Sequence, residues 1–499
     1  MGRITRGEWK ESGAPVPPPG SRGVACRTSL LWQRCTLTPP VCGFLTAPDE
    51  VHEMVGAPGP EQEPMKVLLV STYELGRQPF GLASPAAWLR GRGARVSCND
   101  VAVEPFDERA AVSADLVCFH VPMHTATRLA VPLIERVRAA NPGALICCYG
   151  LYAPVNERYL RSLGADVIIG GEFEQGMADL VDEPSEKLQP VTSLARQRFV
   201  TPDRSSLPSL ELYARVSKRD QEVVTGYTEG SRGCKHLCRH CPIVPVYNGT
   251  FRVVQRDVVL SDIAQQVAKG AGHVTFGDPD FFNAPGHAEK IVTELHNRWP
   301  QLTYDVTIKV EHLLKHRKRV EVLASTGCLF VTSAVESVDD RVLELLDKGH
   351  TRADFIAAVA LLEEFGLVLN PTFVAFTPWT SMAGYRKLIE TVRDLNLIDN
   401  VSPVQLSIRL LIVRGSRLLE LPEVRDLVEP FDERRLVYPW RHPDPEVDAL
   451  CERVQAVTGK TDGDRRALFQ QVCALAGAEF ATEPRPAITV PYLTEPWYC

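Results

Sequence analysis

Residues 230–242 read GSRGCKHLCRHCP, and their three cysteines, Cys234, Cys238 and Cys241, have the spacing C-x3-C-x2-C. The segment follows directly on a predicted strand over residues 222–228. Thiolates are soft, charged ligands that suit an iron–sulfur cluster or zinc. Three cysteines would leave one iron of a four-iron cluster without a protein ligand, and a chelating substrate or cofactor could bind at that open position.

A structural zinc site is the alternative, with His236 or His240 as the fourth ligand. Zinc knuckles usually have a second pair of ligands a dozen or more residues further on, and no such pair is evident in this sequence. A chance grouping of thiols on a loop is a third interpretation. The spacing favours the cluster over both.

Short apolar runs alternate with amphipathic stretches around this segment, a pattern typical of parallel sheets covered by helices. C-terminal to residue 221 we predict strands at 222–228, 272–276, 303–309, 328–335, 368–376 and 404–413, and helices at 257–269, 286–298, 311–325, 338–346, 351–365 and 381–395. Six such units predict a partial (βα)6 barrel or a long open sheet, with the chemistry at the carboxyl ends of the strands.

A separate N-terminal series of the same kind begins just after Met65. Its predicted strands are 67–70, 115–121, 144–149 and 166–169, and its predicted helices are 85–92, 125–140 and 155–163. The fold class is therefore α/β: an N-terminal Rossmann-like parallel sheet, a partial TIM-type barrel, and a small helical C-terminal region with an extended tail.

Composition sets the remaining boundaries. Of residues 1–64, 18 are Pro or Gly, which favours a disordered arm or a mis-assigned start and a folded chain that begins at Met65. The parts that we expect are 65–184 for the N-terminal sheet, 185–221 for a connector, 222–428 for the barrel, and 429–499 for the C-terminal region, with helices at 446–457 and 463–477.

The charge balance excludes some function classes. The 499 residues include 55 basic and 62 acidic side chains, a net charge of −7, which gives no electrostatic footprint for nucleic acid or an anionic membrane. No apolar run reaches the roughly 18 residues of a membrane span, and no signal-peptide stretch is evident. Most of the 14 cysteines are therefore expected to be reduced thiols of a cytoplasmic protein.

The cysteine loop after the first strand of a six-unit barrel resembles the radical S-adenosylmethionine superfamily, over about residues 222–415. The resemblance implies that the three cysteines hold a [4Fe–4S] cluster and that the methionine part of S-adenosylmethionine chelates the open iron. It also implies reductive cleavage of that cofactor to a 5′-deoxyadenosyl radical. One departure is His240, because the residue before the third cysteine is usually aromatic in this family.

Further positions match the family's cofactor contacts. By this resemblance, the residues that line the cofactor site are Gly277, Asp278, Lys309, Glu336, Ser337 and Arg409. Asp278 would accept a charge-assisted hydrogen bond from the cofactor's ammonium group, and the Glu–Ser pair would lie near its carboxylate or ribose. A plain salt bridge or helix cap is the alternative for each. The DKGHT motif at 347–351 also recurs in relatives with an N-terminal cobalamin-type domain.

The layout of residues 65–180 resembles that cobalamin-binding domain, which implies cobalamin as a possible further cofactor. Its landmarks are DLV at 115–117, a helix opened by Thr125, and GADVIIGGE at 164–172. No Asp-x-His-x-x-Gly motif supplies a lower axial histidine. Tyr149 also replaces the first glycine of an expected pair, where its ring could block the nucleotide tail of the corrinoid. A domain that only caps the barrel is the alternative.

The ending TEPWYC at 494–499 resembles a radical S-adenosylmethionine group whose members finish with Cys-Cys-Ala-Glu-Pro or Cys-selenocysteine-Ala-Glu-Pro. The sequence stops at the first cysteine of that pattern, and a selenocysteine codon doubles as a stop codon. The resemblance therefore implies a truncated selenoprotein in which Cys499 belongs to a redox or metal-binding pair.

These features imply a radical enzyme, with methyl transfer as the leading reaction if cobalamin binds. Without cobalamin, hydrogen abstraction followed by rearrangement or sulfur chemistry is favoured. The expected substrate is an unidentified small molecule or peptide, and the expected electron donor is a protein such as flavodoxin or ferredoxin. Two other function classes stay open: a structural zinc-binding interaction protein and a non-catalytic thiol or selenol carrier.

Overall fold

A computed structural model describes residues 63–184, 191–218, 221–459, 464–480 and 490–494 of the chain. All of these residues belong to one unit, Gln62–Cys499. The predicted N-terminal arm lies outside the described residues except for its last two positions, and so does Cys499.

Six parallel strands form the first sheet, in the order β2-β1-β3-β4-β5-β6. They are β1 Lys66–Ser71, β2 Arg95–Asp100, β3 Leu116–His120, β4 Leu145–Tyr149, β5 Val167–Gly171 and β6 Thr192–Ser193. The helices among them are α1 Phe80–Gly91, α2 Glu108–Ser113, α3 His124–Ala140, α4 Tyr152–Val155, α5 Glu157–Ser162 and α6 Glu174–Asp182.

Alternate residues of these strands enter two separate apolar cores. Leu68 and Val117 pack on one face of the sheet, and Val67 and Leu116 pack on the other. A parallel sheet with helices on both faces needs such uninterrupted apolar strands, which is why β1, β3, β4 and β5 were predictable. The edge strand β2 is only half buried and reads RVSCND, so its sequence gave no comparable signal.

The second sheet curls into a partial barrel, in the order β14-β13-β12-β11-β8-β7-β15. Five parallel strands form its body: β8 Gln221–Thr228, β11 His273–Phe276, β12 Thr303–Thr307, β13 Cys328–Glu336 and β14 Val368–Phe373. Two antiparallel strands extend one edge, β7 Arg215–Lys218 and β15 Tyr492–Leu493. A separate hairpin pairs β9 Ser231–Gly233 with β10 Phe251–Val253.

Helices cover the outer face of the barrel and extend past it. They are α7 Val244–Tyr247, α8 Arg256–Ala268, α9 Pro285–Arg298, α10 Val310–Lys315, α11 Arg317–Ser325, α12 Asp340–Leu345, α13 Arg352–Glu364, α14 Met382–Asp394, α15 Pro422–Leu427, α16 Pro445–Thr458 and α17 Arg465–Ala476. The α/β fold class with its Rossmann-like sheet and partial barrel is confirmed. No helix in the described ranges has the length and apolar character needed to cross a membrane.

The predicted sixth strand at 404–413 is wrong. Residues 403–406 form a 3-10 helix, and Arg409 makes a single parallel bridge with Phe376. Beyond that bridge, Leu410 and Ile412 leave the sheet to pack against Trp440 in a separate apolar cluster. The apolar pattern that predicted a strand therefore belongs to this cluster.

The connector joins the two sheets through one fully buried side chain. Arg204 Nε and Nη2 donate to the carboxylate of Asp262 on α8 at 2.7 and 2.9 Å. Its Nη1 donates to Gln78 Oε1 at 2.7 Å, on the loop between β1 and α1. Because a buried guanidinium is costly unless all its donors are paired, this contact holds the first sheet against α8.

Candidate metal and cofactor site

The three cysteines lie on the loop after β8, at the edge where the parallel barrel strands end. Cys238 is buried, and Cys234 and Cys241 are partly exposed. Just before them, Gly233 ends β9 with a φ of +71°. A Cβ at this position would lie 2.3 Å from the ring of Tyr247, so only glycine permits this entry into the loop.

Two buried lysines face the thiols. Lys309 Nζ lies 3.9 Å from Cys238 Sγ, and Lys348 interacts electrostatically with both Cys238 and Cys241. Burial raises the pKa of Cys241 to about 12, and burial likewise raises the pKa of Cys234. A thiolate here therefore needs a stronger positive charge than the lysines supply. A coordinating metal provides it, because it deprotonates the thiol outright.

Glu336 ends β13 beside the cysteine loop, as the sequence predicted for the cofactor site. It has a φ of +66° at a register shift between β13 and β14. Its Oε1 lies 3.1 Å from His240 Nε2 and accepts from Lys348 Nζ at 3.3 Å. Burial acts to raise its pKa, but the Lys348 charge and His240 lower it to about 2. The unusual His240 is thus the partner of an ionised, buried carboxylate held in a strained backbone.

Lys309 immediately precedes α10, and its Nζ lies 3.8 Å from Glu311 Oε2. Gly349 packs against this pair with a φ of +72°, and a Cβ there would lie 3.2 Å from Glu311 Oε2. Burial and the charges of Lys348 and Lys309 lower the pKa of His350 to about 4. The DKGHT motif therefore brings Lys348 to the cysteines and His350 to the two lysines beside them.

Gly277 and Asp278 follow β11 and tie it to the cysteine loop. A Cβ at Gly277 would lie 1.8 Å from Tyr227 Oη, so the close approach requires glycine. Asp278 accepts from the backbone N–H of Gly230 at 2.8 Å and from Ser231 Oγ at 2.5 Å. Burial raises the pKa of Asp278 to about 7. Its carboxylate therefore fixes the start of the loop that carries the cysteines.

Two predicted residues play other roles. Ser337 Oγ accepts from the backbone N–H of Asp339 at 3.1 Å, in the turn before α12. Arg409 donates to Asp448 Oδ1 at 2.6 Å and to the Trp440 carbonyl at 2.9 Å, and its guanidinium lies 3.7 Å from the centre of the Trp440 ring. Its predicted cofactor contact depended on a sixth strand that does not form, and Arg409 instead anchors α16.

A cavity of about 370 Å³ lies inside the barrel and reaches Asp278. Inward-facing polar side chains of four neighbouring strands line it: Thr275, Asp305, Thr307, Thr332, Asn370 and Thr372. Asp305 Oδ1 accepts from Thr275 Oγ1 at 2.6 Å and lies 2.9 Å from His273 Nε2. The sequence did not reveal these residues, because alternate polar residues in short strands have no motif.

Arg232 links the cysteine loop to the first sheet, a role that no sequence motif indicates. Its guanidinium is buried against three carboxylates: Nη2–Glu174 Oε1 2.6 Å, Nε–Glu229 Oε2 2.7 Å and Nη1–Glu172 Oε2 3.5 Å. Burial raises the pKa of Glu172 to about 7. Burial acts the same way on Glu174, but the Arg232 charge and hydrogen bonds outweigh it and lower the pKa of Glu174. Glu172 and Glu174 come from a distant segment, and only the fold brings them to Arg232.

Tyr149 fills the end of the first sheet nearest to the contact that Arg232 makes with it. It is fully buried, and its Oη donates to the Gly81 carbonyl at 2.7 Å. Its ring centre lies 5.0 Å from the ring centres of His120 and Phe173. A Cβ at Gly81 would lie 2.0 Å from the His120 ring, so these side chains leave no room between the strand end and α1.

Comparison with known proteins gives an independent result. Residues 228–377 match the family described as the radical SAM (S-adenosylmethionine) superfamily. A tRNA-2-methylthio-N(6)-dimethylallyladenosine synthase of Moorella thermoacetica is 22% identical over 344 residues, which cover 65% of this chain and 73% of that enzyme.

Two solved structures share the fold. One is the cobalamin-dependent S-adenosylmethionine radical enzyme OxsB with aqua-cobalamin and S-adenosylmethionine bound (TM-score 0.61, 14% identity, 83% of this chain and 71% of that one). The other is the radical S-adenosylmethionine methyltransferase TsrM of Kitasatospora setae with cobalamin and a [4Fe–4S] cluster bound (TM-score 0.54, 16% identity, 66% of this chain and 73% of that one).

The donor set fits the cofactors that this superfamily implies, a [4Fe–4S] cluster and S-adenosylmethionine. Cys234, Cys238 and Cys241 supply thiolates, which such clusters require. The histidines needed for the alternative zinc site face elsewhere: His240 towards Glu336, and His236 Nε2 towards Asp280 Oδ2 at 3.5 Å. Residues 228–377 are therefore a radical S-adenosylmethionine domain, with the three thiols placed to hold its cluster.

Proposed function

We propose that this protein is an enzyme that reductively cleaves S-adenosylmethionine and uses the 5′-deoxyadenosyl radical to abstract hydrogen from a substrate in the barrel cavity. The observation that carries the proposal is the position of the cysteine triad, at the strand ends of the barrel and surrounded by paired buried charges. When bound, the cluster supplies the electron that splits the sulfonium of S-adenosylmethionine.

The chain's own residues divide the binding work. Cys234, Cys238 and Cys241 would hold three irons and leave the fourth open. Lys309, which already faces Cys238 Sγ at 3.9 Å, would neutralise the carboxylate of the methionine moiety. Asp278 would accept from its ammonium group, because each carboxylate oxygen that now accepts one hydrogen bond has a second lone pair.

Glu336 and Lys348 would serve this site as a fixed pair. Taken singly, each would be a buried charge without compensation, which is strongly disfavoured. Together they are nearly neutral and hold His240 against the third cysteine. We infer that they orient the cofactor and exclude bulk water without adding net charge.

The cavity lining indicates the class of substrate. Threonine hydroxyls, the Asp305 carboxylate and the Asn370 amide offer both donors and acceptors. A volume of about 370 Å³ suits a small polar molecule or one side chain of a peptide. We also propose a cytoplasmic location and a flavodoxin or ferredoxin as the electron donor.

Cobalamin-dependent methyl transfer is the second candidate, and the shared fold with OxsB and TsrM favours it. The residues present do not fit the corrinoid where the family resemblance places its nucleotide tail. Tyr149 is packed between His120 and Phe173 at that position, and its hydroxyl is bonded to Gly81. We therefore place hydrogen abstraction without a corrinoid first. The truncated-selenoprotein prediction for Cys499 stays a prediction.

The test uses the full chain, reconstituted with iron and sulfide in the absence of oxygen. We expect about four irons per chain and release of 5′-deoxyadenosine after addition of dithionite and S-adenosylmethionine. Cys238→Ala should abolish the release, whereas Cys98→Ala, a thiol in the first sheet, should leave it unchanged. Zinc in place of iron without cleavage would instead support a metal-stapled binding protein. Cleavage that survives Cys238→Ala would also overturn the proposal.

A further inference from the structure

We propose a second metal site beside the cysteine triad, formed by His236, Asp280 and His312 and suited to a divalent ion of the zinc class. One ligand atom from each residue lies within 4.8 Å of the other two. The site uses none of the three thiols as a ligand and does not depend on the radical chemistry proposed above.

The three side chains come from the ends of successive barrel strands. His236 belongs to the loop after β8, Asp280 follows β11, and His312 lies in the first turn of α10, just after β12. The carboxyl ends of parallel barrel strands meet at one edge, where functional residues gather. The three residues are therefore held by the rigid sheet and not by a flexible surface loop.

Burial makes a positive charge at this point necessary. Asp280 is fully buried, and its Oδ1 accepts from the backbone N–H of Phe282 at 3.1 Å. Among the described residues, the charge partners of its Oδ2 are two imidazoles, His312 Nδ1 at 2.6 Å and His236 Nε2 at 3.5 Å. A buried carboxylate is stable only when it is paired or coordinates a metal.

The orientation of the three atoms favours the metal. Asp280 Oδ2, His312 Nδ1 and His236 Nε2 are all shielded from solvent, and none forms an aligned hydrogen bond within the described part of the chain. Asp280 Oδ2 and His312 Nδ1 lie 2.6 Å apart without meeting the full geometry of a hydrogen bond. Buried lone pairs that do not hydrogen-bond to one another are expected when all three atoms bind the same ion.

The dimensions and ligand types agree with zinc. Zinc bonds to histidine nitrogen and carboxylate oxygen are about 2.0–2.2 Å long, so two ligand atoms on one ion lie at most about 4.3 Å apart. The three atoms lie within 4.8 Å of one another, close to that span. Glu311 Oε2 lies 3.9 Å from the other nitrogen of His236, so a second carboxylate stands on the far side of that imidazole. Three protein ligands would leave one position for water or a substrate group.

The experiment measures zinc in the full chain after its cluster is assembled. Protein reconstituted with iron and sulfide is treated with a chelator, supplied with one equivalent of Zn²⁺ and analysed for both metals. We expect about one zinc per chain beside the iron. Co²⁺ in place of Zn²⁺ should give the visible absorption of a four-coordinate nitrogen–oxygen site.

His312→Ala and His236→Ala should each weaken zinc binding by about 100-fold or more, since loss of an outer-shell partner alone costs about 10–100-fold. His312 is buried, so a loss of zinc in His312→Ala alone would not distinguish a lost ligand from misfolding. The side chain of His236 is partly exposed, so His236→Ala should remove a ligand without disturbing the fold. His316→Ala is the matched control, because its ring lies 5.7 Å from that of His312 but outside the ligand set.

Cys238→Ala separates this proposal from the radical function. The variant should lose its cluster and still bind one zinc at the histidine site. Equal zinc content in the native chain and in both histidine variants would overturn the proposal, and so would zinc binding that disappears with Cys238→Ala.

Discussion

Replacing Arg232 by methionine should destabilise the junction between the two sheets. The side chain is 7% exposed, and its partners Glu172 and Glu174 are 1% and 0% exposed. Methionine keeps much of the apolar contact with the rings of Phe80 and Phe173 but removes the charge. The substitution therefore leaves three carboxylates clustered in a buried space.

The magnitude follows from the burial of that cluster. Breaking a buried ion pair by removing one partner costs about 3–5 kcal/mol, because the remaining charge is uncompensated. The lost contacts between the guanidinium and the aromatic rings add about 0.5–2 kcal/mol. Arg256→Met is the control, since its pair with Glu294 is 48% and 29% exposed. We expect that control to lose at most about 1 kcal/mol.

The loss should depend on pH in a defined direction. Without Arg232, burial alone raises the pKa values of Glu172 and Glu174 above those of the unfolded chain. A folded state that binds more protons than the unfolded state loses stability as pH rises. The difference between the native chain and Arg232→Met should therefore widen from pH 5 to pH 8.

Urea unfolding followed by circular dichroism would measure the effect, together with Glu174→Gln and the double variant. Because Glu174→Gln removes one stranded charge, the double variant should be more stable than Arg232→Met alone. Arg232→Met that unfolds at the same urea concentration as Arg256→Met, or a pH dependence of opposite sign, would refute the reasoning.

Three further predictions concern the cofactor site. Gly277→Ala should lower 5′-deoxyadenosine formation, because the new Cβ would lie 1.8 Å from Tyr227 Oη. We expect a loss of about 100-fold, the usual effect of a 1 Å misplacement at a reacting centre. Unchanged release of 5′-deoxyadenosine would contradict this prediction. Glu336→Gln should keep the iron content but weaken S-adenosylmethionine binding about 10-fold, because the variant leaves the Lys348 charge without a partner. Calorimetric titration measures this affinity. Equal affinity in the native chain and the variant would exclude a role of Glu336 in orienting the cofactor. The native chain should retain no cobalamin after incubation with hydroxocobalamin and gel filtration, because the buried Tyr149 fills the position that the family resemblance assigns to the corrinoid's nucleotide tail. Stoichiometric retention would make cobalamin-dependent methyl transfer the leading function.

The sequence predicted the parts of the fold that a local pattern encodes. The apolar runs of β1, β3, β4 and β5 are buried on both faces, and the spacing of Cys234, Cys238 and Cys241 encodes a ligand set directly. Residues 404–413 show the limit of such patterns. Their apolar side chains are buried as expected, but against Trp440 and not in the barrel sheet, and local hydrophobicity does not distinguish the two.

The residues of the candidate site were predictable where the order of the strands determines their position. Gly277 and Glu336 follow strands whose ends had to meet at one edge, so their place near the cysteines follows from topology. The strand predicted to carry Arg409 does not form, and the cofactor contact of Arg409 stays a prediction. His312 and Asp280 were beyond reach, because a contact between side chains of different strand–helix units leaves no mark on the spacing within either one.

The cysteine loop is held from several sides by groups that do not bind the cluster. Arg232 ties its start to the first sheet, the Arg239 backbone N–H donates to the Leu346 carbonyl at 2.9 Å, and Arg417 Nη1 donates to the Leu237 carbonyl at 2.7 Å. A loop fixed in this way needs little rearrangement to accept metal, so most of the ordering entropy is lost on folding and not on cluster binding. The contact of Arg232 with Glu172 and Glu174 makes the loop geometry depend on the first sheet. We therefore expect that sheet to serve the chemistry even without a corrinoid, by setting the position of the thiols.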